Sequence, residues 1–304
     1  MPAKRRAGST NPSQVQKLSV REFFARFPSD DACLQHVMEV RYGLRHPCNK
    51  CLHLSTFHRI VERHAFSCAH CGHHVYPCAG TIFQDSRTSL QMWFYAIYLF
   101  VTTRHGVSGK EMQRTLGVTY KTAWRMGQQI RKLMASTEGF GLLQDHVEVD
   151  EAYIGGHRPG KRGRGAEGKT IIVGMKQRDG DIRAVSVPDA KKDTLRALVK
   201  GNVEPGSIVS TDEFVSYGLL APDGYKHGAV KHGVREYAYY DWRLDATIHT
   251  NGVESFWKLF KDSVRSTHIH VSAKYMDRYL SEFAFRSNRR QMKNAMFDLL
   301  IGAL

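Results

Sequence analysis

One stretch of the chain decides the fold class: HVEVDEAYIGG, residues 146–156. In an extended conformation Val147 and Val149 point to one face, and Glu148 and Asp150 point to the opposite face. This alternation predicts a β-strand with one apolar face, and the two glycines that follow predict a turn. Asp150 is therefore expected near the end of a strand, on its polar face.

Further along the chain, β-branched and apolar runs predict more strands and helices. The predicted strands are 146–154, 170–177, 182–188 and 207–211, and the predicted helices are 191–200, 252–264 and 273–301. Three antiparallel strands, a helix and a further strand are typical of an α/β fold with a mixed central sheet. The sequence therefore predicts that fold class for the second half of the chain.

Two more acidic residues stand at informative positions of this pattern. Asp212 directly follows the strand at 207–211, and Glu254 lies in the predicted helix that begins at 252. Strand ends and a flanking helix can bring three carboxylates together, and Mg²⁺ prefers such hard oxygen ligands. Two ions about 3.5–4 Å apart activate an attacking oxygen and stabilise a leaving one. Because the chain has 29 acidic residues, surface acids remain an alternative on spacing alone.

Four cysteines predict a zinc site. They form two C-x-x-C pairs separated by sixteen residues: Cys48, Cys51, Cys68 and Cys71. This is the spacing of a zinc ribbon, in which four thiolates close a tetrahedral structural site. Such a site contributes about 10–16 kcal/mol of binding energy coupled to folding. The histidines beside the second pair are expected at the surface, and the two remaining cysteines in the core: His70, His73 and His74, and Cys33 and Cys78.

A helix-turn-helix is predicted between the cysteines and the strands. Ser108 with Glu111 forms a capping box that begins one helix, and Thr119 caps a second helix that runs to about Met134. The inner stripe of the second helix is apolar. Its outer stripe, which is expected to contact DNA, consists of Lys121, Arg125, Gln128 and Lys132. The alternative is an ordinary helical hairpin with a solvated basic face.

The chain of 304 residues is strongly basic, with a formal net charge of +15 and a pI near 9.6. Such a surplus favours polyanions as partners, and nucleic acid is the commonest; solubility alone is the alternative. The cysteine spacing and the absence of a signal peptide predict a reduced, intracellular protein. Residues 1–17 form a basic tail. A glycine-rich basic loop at 155–169 is expected either to bind DNA or to be merely solvated; its cations include Arg158, Lys161, Arg162 and Arg164.

With these motifs in place, the chain resembles the DDE-class transposases of bacterial insertion sequences that carry an N-terminal zinc ribbon before a ribonuclease H-like catalytic domain. The resemblance runs from about Phe23 to Arg290. It is carried by the two cysteine pairs, by DEAYIGG at 150, TDEF at 211 and HTNGVESFW at 249, and by a helix that ends YLSEFAFRSNRR.

The resemblance implies an enzyme that uses two Mg²⁺ or Mn²⁺ ions to cut one strand at the element end and join the 3′-hydroxyl to target DNA. Asp150 and Asp212 match the first two metal-binding acids. Glu254 is preferred over Asn251 as the third, because Lys261 follows Glu254 by two helical turns and is expected to hold phosphate. Asn251 stays open as a ligand or as a holder of DNA. Double-stranded DNA and at least a dimer are implied, since two ends must be paired.

The expected organisation is a basic tail at 1–17, N-terminal helices and the ribbon at 18–85, a helical DNA-binding region at 86–137, the catalytic domain at 145–290 and a C-terminal helical tail at 291–304. Two other functions stay open: a DNA-binding regulator with an inactive catalytic-like domain, and a metal-dependent nuclease that does not join DNA. The three acids argue against the regulator, because a pure binding protein has no use for them. The sequence contains no HExxH motif, so it does not support a zinc hydrolase.

Overall fold

The computed structural model describes residues 18–139, 141–155, 168–212, 220–231, 233, 236–292 and 295–304. Within these ranges, no helix is both long and apolar enough to cross a membrane. Some predicted features lie outside the described residues: the basic tail 1–17 and four cations of the basic loop, Arg158, Lys161, Arg162 and Arg164.

Two short helices lead into an antiparallel ribbon. α1 (Val20–Arg26) begins at a capping box formed by Ser19 and Glu22, and α2 (Asp30–Arg41) begins at Ser29. The ribbon strands are β1 (Arg45–Pro47), β2 (Leu54–Ile60), β3 (Ala65–Cys68) and β4 (His74–Val75). Each pairs antiparallel with the next, so the β1–β2 turn and the β3–β4 turn lie at the same end of the ribbon.

Three helices follow the ribbon: α3 (Leu90–Thr102), α4 (Gly109–Leu116) and α5 (Tyr120–Ser136). As predicted, the hydroxyls of Ser108 and Thr119 each accept a hydrogen bond from the backbone N–H three residues later, which begins α4 and α5. Gly117 ends α4 at φ 65°, a left-handed conformation that glycine adopts without strain. The predicted inner stripe of α5 is buried: Ala123, Met126, Ile130 and Leu133.

The second half of the chain forms a mixed sheet. Its strands are β5 (His146–Ile154), β6 (Thr170–Gln177), β7 (Ile182–Val187), β8 (Ile208–Asp212) and β9 (Lys226–Val230), and α6 (Lys192–Asn202) connects β7 to β8. The strand order is β7–β6–β5–β8–β9; β5, β6 and β7 are antiparallel, and β8 and β9 run parallel to β5. This ribonuclease H-like arrangement confirms the predicted mixed α/β fold. β9 was not predicted, because KHGAV is short and interrupted by glycine.

Helices cover both faces of this sheet. α6 packs on the face to which Val147 and Val149 belong. α7 (Asn251–Ser263) and α8 (Met276–Asn288) pack on the other face. Because successive residues of a strand alternate between faces, Asp150 points toward α7.

Two features of the second half differ from the prediction. A hairpin of β10 (Tyr239–Asp241) and β11 (Ala246–Ile248) precedes α7. The predicted helix 273–301 is instead two helices, since α8 ends at Asn288 and α9 spans Ala295–Gly302. α9 packs into the N-terminal core, where the ring of Phe297 lies 5.5 Å from that of Phe27. The first and last described helices therefore share one core.

Candidate functional site

The cysteine pairs of the ribbon converge on one point. The sulfur atoms that meet there are those of Cys48, Cys51, Cys68 and Cys71. All four lie within 4.8 Å of one another, and two of the distances between them are 3.7 and 4.0 Å. Four sulfurs about 2.3 Å from a zinc ion stand about 3.8 Å apart in a tetrahedron, so the cluster fits structural zinc. The exposed ring of His70 stacks on that of His53 beside this cluster.

Helix α5 exposes three of its four predicted DNA-contacting side chains: Lys121, Arg125 and Lys132. Gln128 is only 3% exposed, and its Oε1 accepts a hydrogen bond from Arg278 Nη1 of α8 at 3.1 Å. The prediction that Gln128 contacts DNA is wrong, because α8 packs across that side of α5. Helical periodicity identified an outer stripe but gave no sign of this second packing partner.

Asp150 and Asp212 lie on neighbouring parallel strands. β5 and β8 pair in parallel, with Glu148 opposite Ser210. Extended by two residues along both strands, this register would place Asp150 level with Asp212. Level residues of paired strands point to the same face of a sheet. The sheet therefore presents both carboxylates on the face that α7 covers.

The third predicted acid, Glu254, lines a cavity of about 310 Å³ together with Asp150. The other lining residues come from α7 and the turn that follows it: Trp257, Lys258, Lys261, Asp262 and Arg265. Asn251, at the exposed first position of α7, does not line this cavity. The fold thus brings together Asp150, Glu254 and Lys261 of the predicted site.

A glycine allows α7 to approach the sheet beside this cavity. Gly174 of β6 pairs with Asp150 of β5. A β-carbon at Gly174 would lie 2.7 Å from the ring of Trp257 and 2.8 Å from the side chain of Val253. A larger residue at this position would push α7, and with it Glu254, away from the strand acids.

The carboxylates of the site repel one another. Burial raises the pKa of Asp150 to about 7, and the negative charges of Glu151, Asp212 and Glu254 add to the shift. All three acids are therefore close enough to act on Asp150, and a cation between the carboxylates would relieve the repulsion. The acids do not converge as tightly as the thiols: among the described residues, no three carboxylates have oxygens within 4.8 Å of one another.

A further acid, Glu148, holds the N-terminus of α7, a role that its sequence position alone does not indicate. Its side chain is 2% exposed, and Oε2 accepts hydrogen bonds from the backbone N–H groups of Gly252 (2.6 Å) and Val253 (3.1 Å). Oε1 accepts a hydrogen bond from Arg178 Nε at 3.2 Å. Since the N-cap residue Thr250 makes no side-chain cap, a strand carboxylate satisfies the first turn of α7.

The hydrogen bonds between Glu148 and the first turn of α7 depend on the absence of a side chain at Gly252. A β-carbon there would lie 2.7 Å from Glu148 Oε2. Arg178 extends the cluster to the β10–β11 hairpin by donating hydrogen bonds to the carbonyl oxygens of Thr247 and His249. The available sequence signals were an acid two residues before Asp150 and a glycine early in a helix, and neither is specific on its own.

Two sequence profiles match the chain. Residues 28–74 match a transposase zinc-ribbon domain, and residues 142–288 match an ISXO2-like transposase domain. The second match contains the sheet, α7, α8 and all three predicted metal-binding acids. The chain belongs to the DDE-class insertion-sequence transposases. The transposase therefore binds DNA and acts on it enzymatically, and its four-cysteine cluster fits the structural zinc of the ribbon.

Two curated proteins are similar to this transposase. An uncharacterized protein in transposable element ISH50 of Halobacterium salinarum is 27% identical over 266 residues, which cover 81% of this chain and 86% of the relative. An uncharacterized transposase-like protein of Haemophilus influenzae is 26% identical over 113 residues, 37% of this chain and 85% of that protein. Among solved structures, the Mos1 strand transfer complex matches at 11% identity and a TM-score of 0.25, covering 69% of this chain and 77% of that chain.

Proposed function

We propose that this transposase cuts one DNA strand at each end of its insertion sequence and joins the freed 3′-hydroxyl to target DNA with the help of two divalent metal ions. The observation that supports the proposal is that Asp150 shares a cavity with Glu254 and is close enough to Asp212 and Glu254 for both charges to act on it. Burial raises the pKa of Asp150 to about 7 and the neighbouring negative charges add to the shift, so a cation bound between these carboxylates would relieve their repulsion.

The donor set suits Mg²⁺ or Mn²⁺. Carboxylate oxygens are hard ligands, and Mg²⁺ takes only one or two of them per ion from the protein. Asp150, Asp212 and Glu254 would hold the ions, whereas Asn251, outside the cavity, would contact DNA instead. Bound there, the metal pair would supply activation of the attacking oxygen and stabilisation of the leaving oxygen.

The chain's own side chains orient the substrate. Lys258 and Lys261 stand one and two helical turns after Glu254 and line the same cavity, where their ammonium groups can bind phosphate oxygens. Trp257 forms a wall of the cavity and excludes water from that side. Glu148, by holding the first turn of α7, sets the position of Glu254 relative to the strand acids.

Recognition of the element end belongs, in this proposal, to the ribbon and to the α4–α5 pair. The exposed cations of α5 contact DNA: Lys121, Arg125 and Lys132. The basic loop adds further contacts through Arg158, Lys161, Arg162 and Arg164. Because two element ends must be brought together, the DNA-bound form is at least a dimer.

An oligonucleotide assay with the element's own terminal sequence and a target duplex tests the proposal. Wild-type protein should join the two DNAs in Mg²⁺ or Mn²⁺ only. Asp150→Ala and Asp212→Ala should lose cleavage and joining but keep binding to the element end. Asp193→Ala, which removes an exposed acid of α6 on the opposite face of the sheet, is the matched control and should behave as wild type.

Each other outcome has a definite meaning. Cleavage without joining would identify a metal-dependent nuclease. Tight binding with neither reaction would identify a DNA-binding regulator. Cleavage that persists in Asp150→Ala or Asp212→Ala would refute the metal-binding role of these acids.

A further inference from the structure

The segment after α7 has an uncommon backbone. α7 ends at Ser263 and continues as a π-helical turn over Val264–His268, a conformation frequent at functional sites. The backbone N–H of His270 then donates a hydrogen bond to the carbonyl oxygen of His268 at 2.7 Å, which centres a three-residue γ-turn on Ile269. Ile269 has φ 63° and ψ −48°, close to the rare and strained form of this turn.

Isoleucine is an unfavourable residue for such a turn. A β-branched side chain at positive φ is an outlier, whereas glycine adopts this conformation readily. The side chain of Ile269 is 76% exposed, so burial in the core does not offset the strain. Backbone strain of this kind clusters at functional sites. The exposed, strained side chain is therefore a candidate contact for a ligand.

Ile269 lines a basic groove of about 470 Å³. The groove's cationic groups are Lys169, Lys261 and Arg265, and none of its described lining residues is acidic. Lys261 and Arg265 also line the acid cavity that holds Asp150 and Glu254, so the groove begins where that cavity ends.

Charge changes sign along the face of the helix that joins the two sites. Glu254, Lys258, Lys261 and Arg265 follow one another at spacings of four, three and four residues. At these spacings the side chains share one face of a helix. A polyanion whose reacting phosphate lies at Glu254 is therefore attracted along this face into the groove.

We propose that the groove holds the DNA backbone next to the reacting phosphate and that Ile269 inserts between two neighbouring bases of that strand. The proposal rests on the proposed DNA cleavage at the acid cavity. Lys261 and Arg265 would bind phosphates, while the Ile269 side chain would partly unstack the base step, as apolar wedges do in other DNA-binding proteins. A second copy of the chain fits less well, since its net charge of +15 opposes a cationic groove.

Fluorescence of 2-aminopurine tests the wedge. The full-length protein is mixed, without added divalent metal, with an element-end duplex that carries 2-aminopurine at the base step beside the scissile phosphate. Wild type should raise the fluorescence on binding, and Ile269→Gly should lose most of the rise. Its midpoint of thermal unfolding should be unchanged or higher, because glycine relieves the strain. Leu142→Ala, an exposed apolar position near the opposite end of β5, should behave as wild type.

Salt dependence tests the phosphate contact. Arg265→Ala should reduce the slope of log K against log salt concentration by about one, which corresponds to one lost phosphate contact. Lys191→Ala, at an exposed lysine before α6, should leave the slope unchanged.

The proposal is overturned by three results: no fluorescence rise with wild type, a wild-type rise with Ile269→Gly, or a wild-type salt slope with Arg265→Ala. These failures are separate from failure of the proposed function. One such outcome is that wild type cleaves DNA in Mg²⁺ or Mn²⁺ while Ile269→Gly and Arg265→Ala show the wild-type fluorescence rise and salt slope. That result would refute only the groove assignment. If wild type does not cleave DNA at all, the proposed function itself is refuted.

Discussion

Asp150 keeps its proton to a higher pH than an ordinary carboxyl. Burial raises its pKa from 3.8 to about 7, with further contributions from Glu151, Asp212 and Glu254. A carboxyl with a raised pKa in the folded state binds more protons there than in the unfolded chain, so its stabilising contribution is present below about pH 4 and is lost as the pH rises through about 7. In the absence of added divalent metal, the protein should therefore be less stable at pH 8 than at pH 5 on account of this residue.

The variant Asp150→Asn should remove this pH dependence. Relative to wild type it should gain on the order of 2 kcal/mol of stability between about pH 4 and pH 7, a modest value because the half-buried carboxylate is partly screened by water. Thermal unfolding of both proteins from pH 4 to 8 measures the gain, in buffers without added Mg²⁺ or Mn²⁺, which would bind the carboxylates, and without chelators, which would remove zinc from the ribbon. Mn²⁺ at pH 8 should then stabilise wild type only. Parallel pH curves for the two proteins would contradict the assigned repulsion.

Gly252 and Glu148 form a pair that a single methyl group should break. In Gly252→Ala the new β-carbon would lie 2.7 Å from Glu148 Oε2, so the first turn of α7 must move. Metal-dependent cleavage should fall by about 10–100-fold, as is usual when a partner that orients metal ligands is lost, while element-end binding persists. Gly201→Ala is the matched control, because nothing lies within 4 Å of a β-carbon at that helical glycine. Equal cleavage rates in the two variants would disprove the positioning role of Glu148.

At the scale of elements, the ribbon is the unit that folds around its own ligand. Its two turns meet because β2 and β3 pair in register, which brings Cys68 opposite Phe57. Cys48 and Cys68 are also buried in the core that holds α2 and α3. Loss of zinc should therefore loosen the N-terminal helices as well as the ribbon.

Cys48→Ser should lose zinc and weaken element-end binding. Three thiolates no longer close the tetrahedral site, and the binding energy coupled to folding falls with it. Cys78→Ser is the control, since Cys78 lies outside the cluster and should leave the zinc content unchanged. Zinc released on denaturation and the affinity for the element end are the two measurements. A Cys48→Ser protein that keeps its zinc and its affinity for the element end would refute the zinc-ribbon assignment.

At the scale of the whole molecule, a buried ion cluster joins α5 to α8, the helix that packs on the mixed sheet. Arg131 of α5 donates a hydrogen bond to Glu282 of α8 at 2.6 Å, and Arg286 donates to the other carboxylate oxygen at 2.6 Å. Burial alone would raise the pKa of Glu282, but the two guanidinium groups outweigh it and hold the pKa below its usual value. α9 completes the junction by packing against the N-terminal core.

Glu282→Gln should destabilise the protein by about 3–5 kcal/mol, because it leaves two buried guanidinium groups without their counter-charge. The matched control is Asp298→Asn, which breaks the half-exposed pair between Arg26 and Asp298 and should cost less than about 1 kcal/mol. Urea unfolding of both variants measures the difference. Equal losses would mean that the buried cluster does not stabilise this junction.

The sequence by itself determined the features that local spacing encodes. Two C-x-x-C pairs predict a zinc ribbon because each tight turn presents two thiolates, and the alternation around Asp150 predicts a strand because side chains repeat every second residue. The caps at Ser108 and Thr119 located α4 and α5 for the same reason: a cap acts on backbone groups only three residues away.

Tertiary structure alone decided the features that depend on which faces meet. Periodicity placed Gln128 on an outer stripe, but the approach of α8 buried it. Glu148 caps a helix that begins about a hundred residues later in the chain, and α9 closes a core that began near Phe23. The strained turn at Ile269 likewise follows from how the chain leaves α7. A single sequence reveals that a face is apolar or charged, but the partner of that face is set by long-range packing.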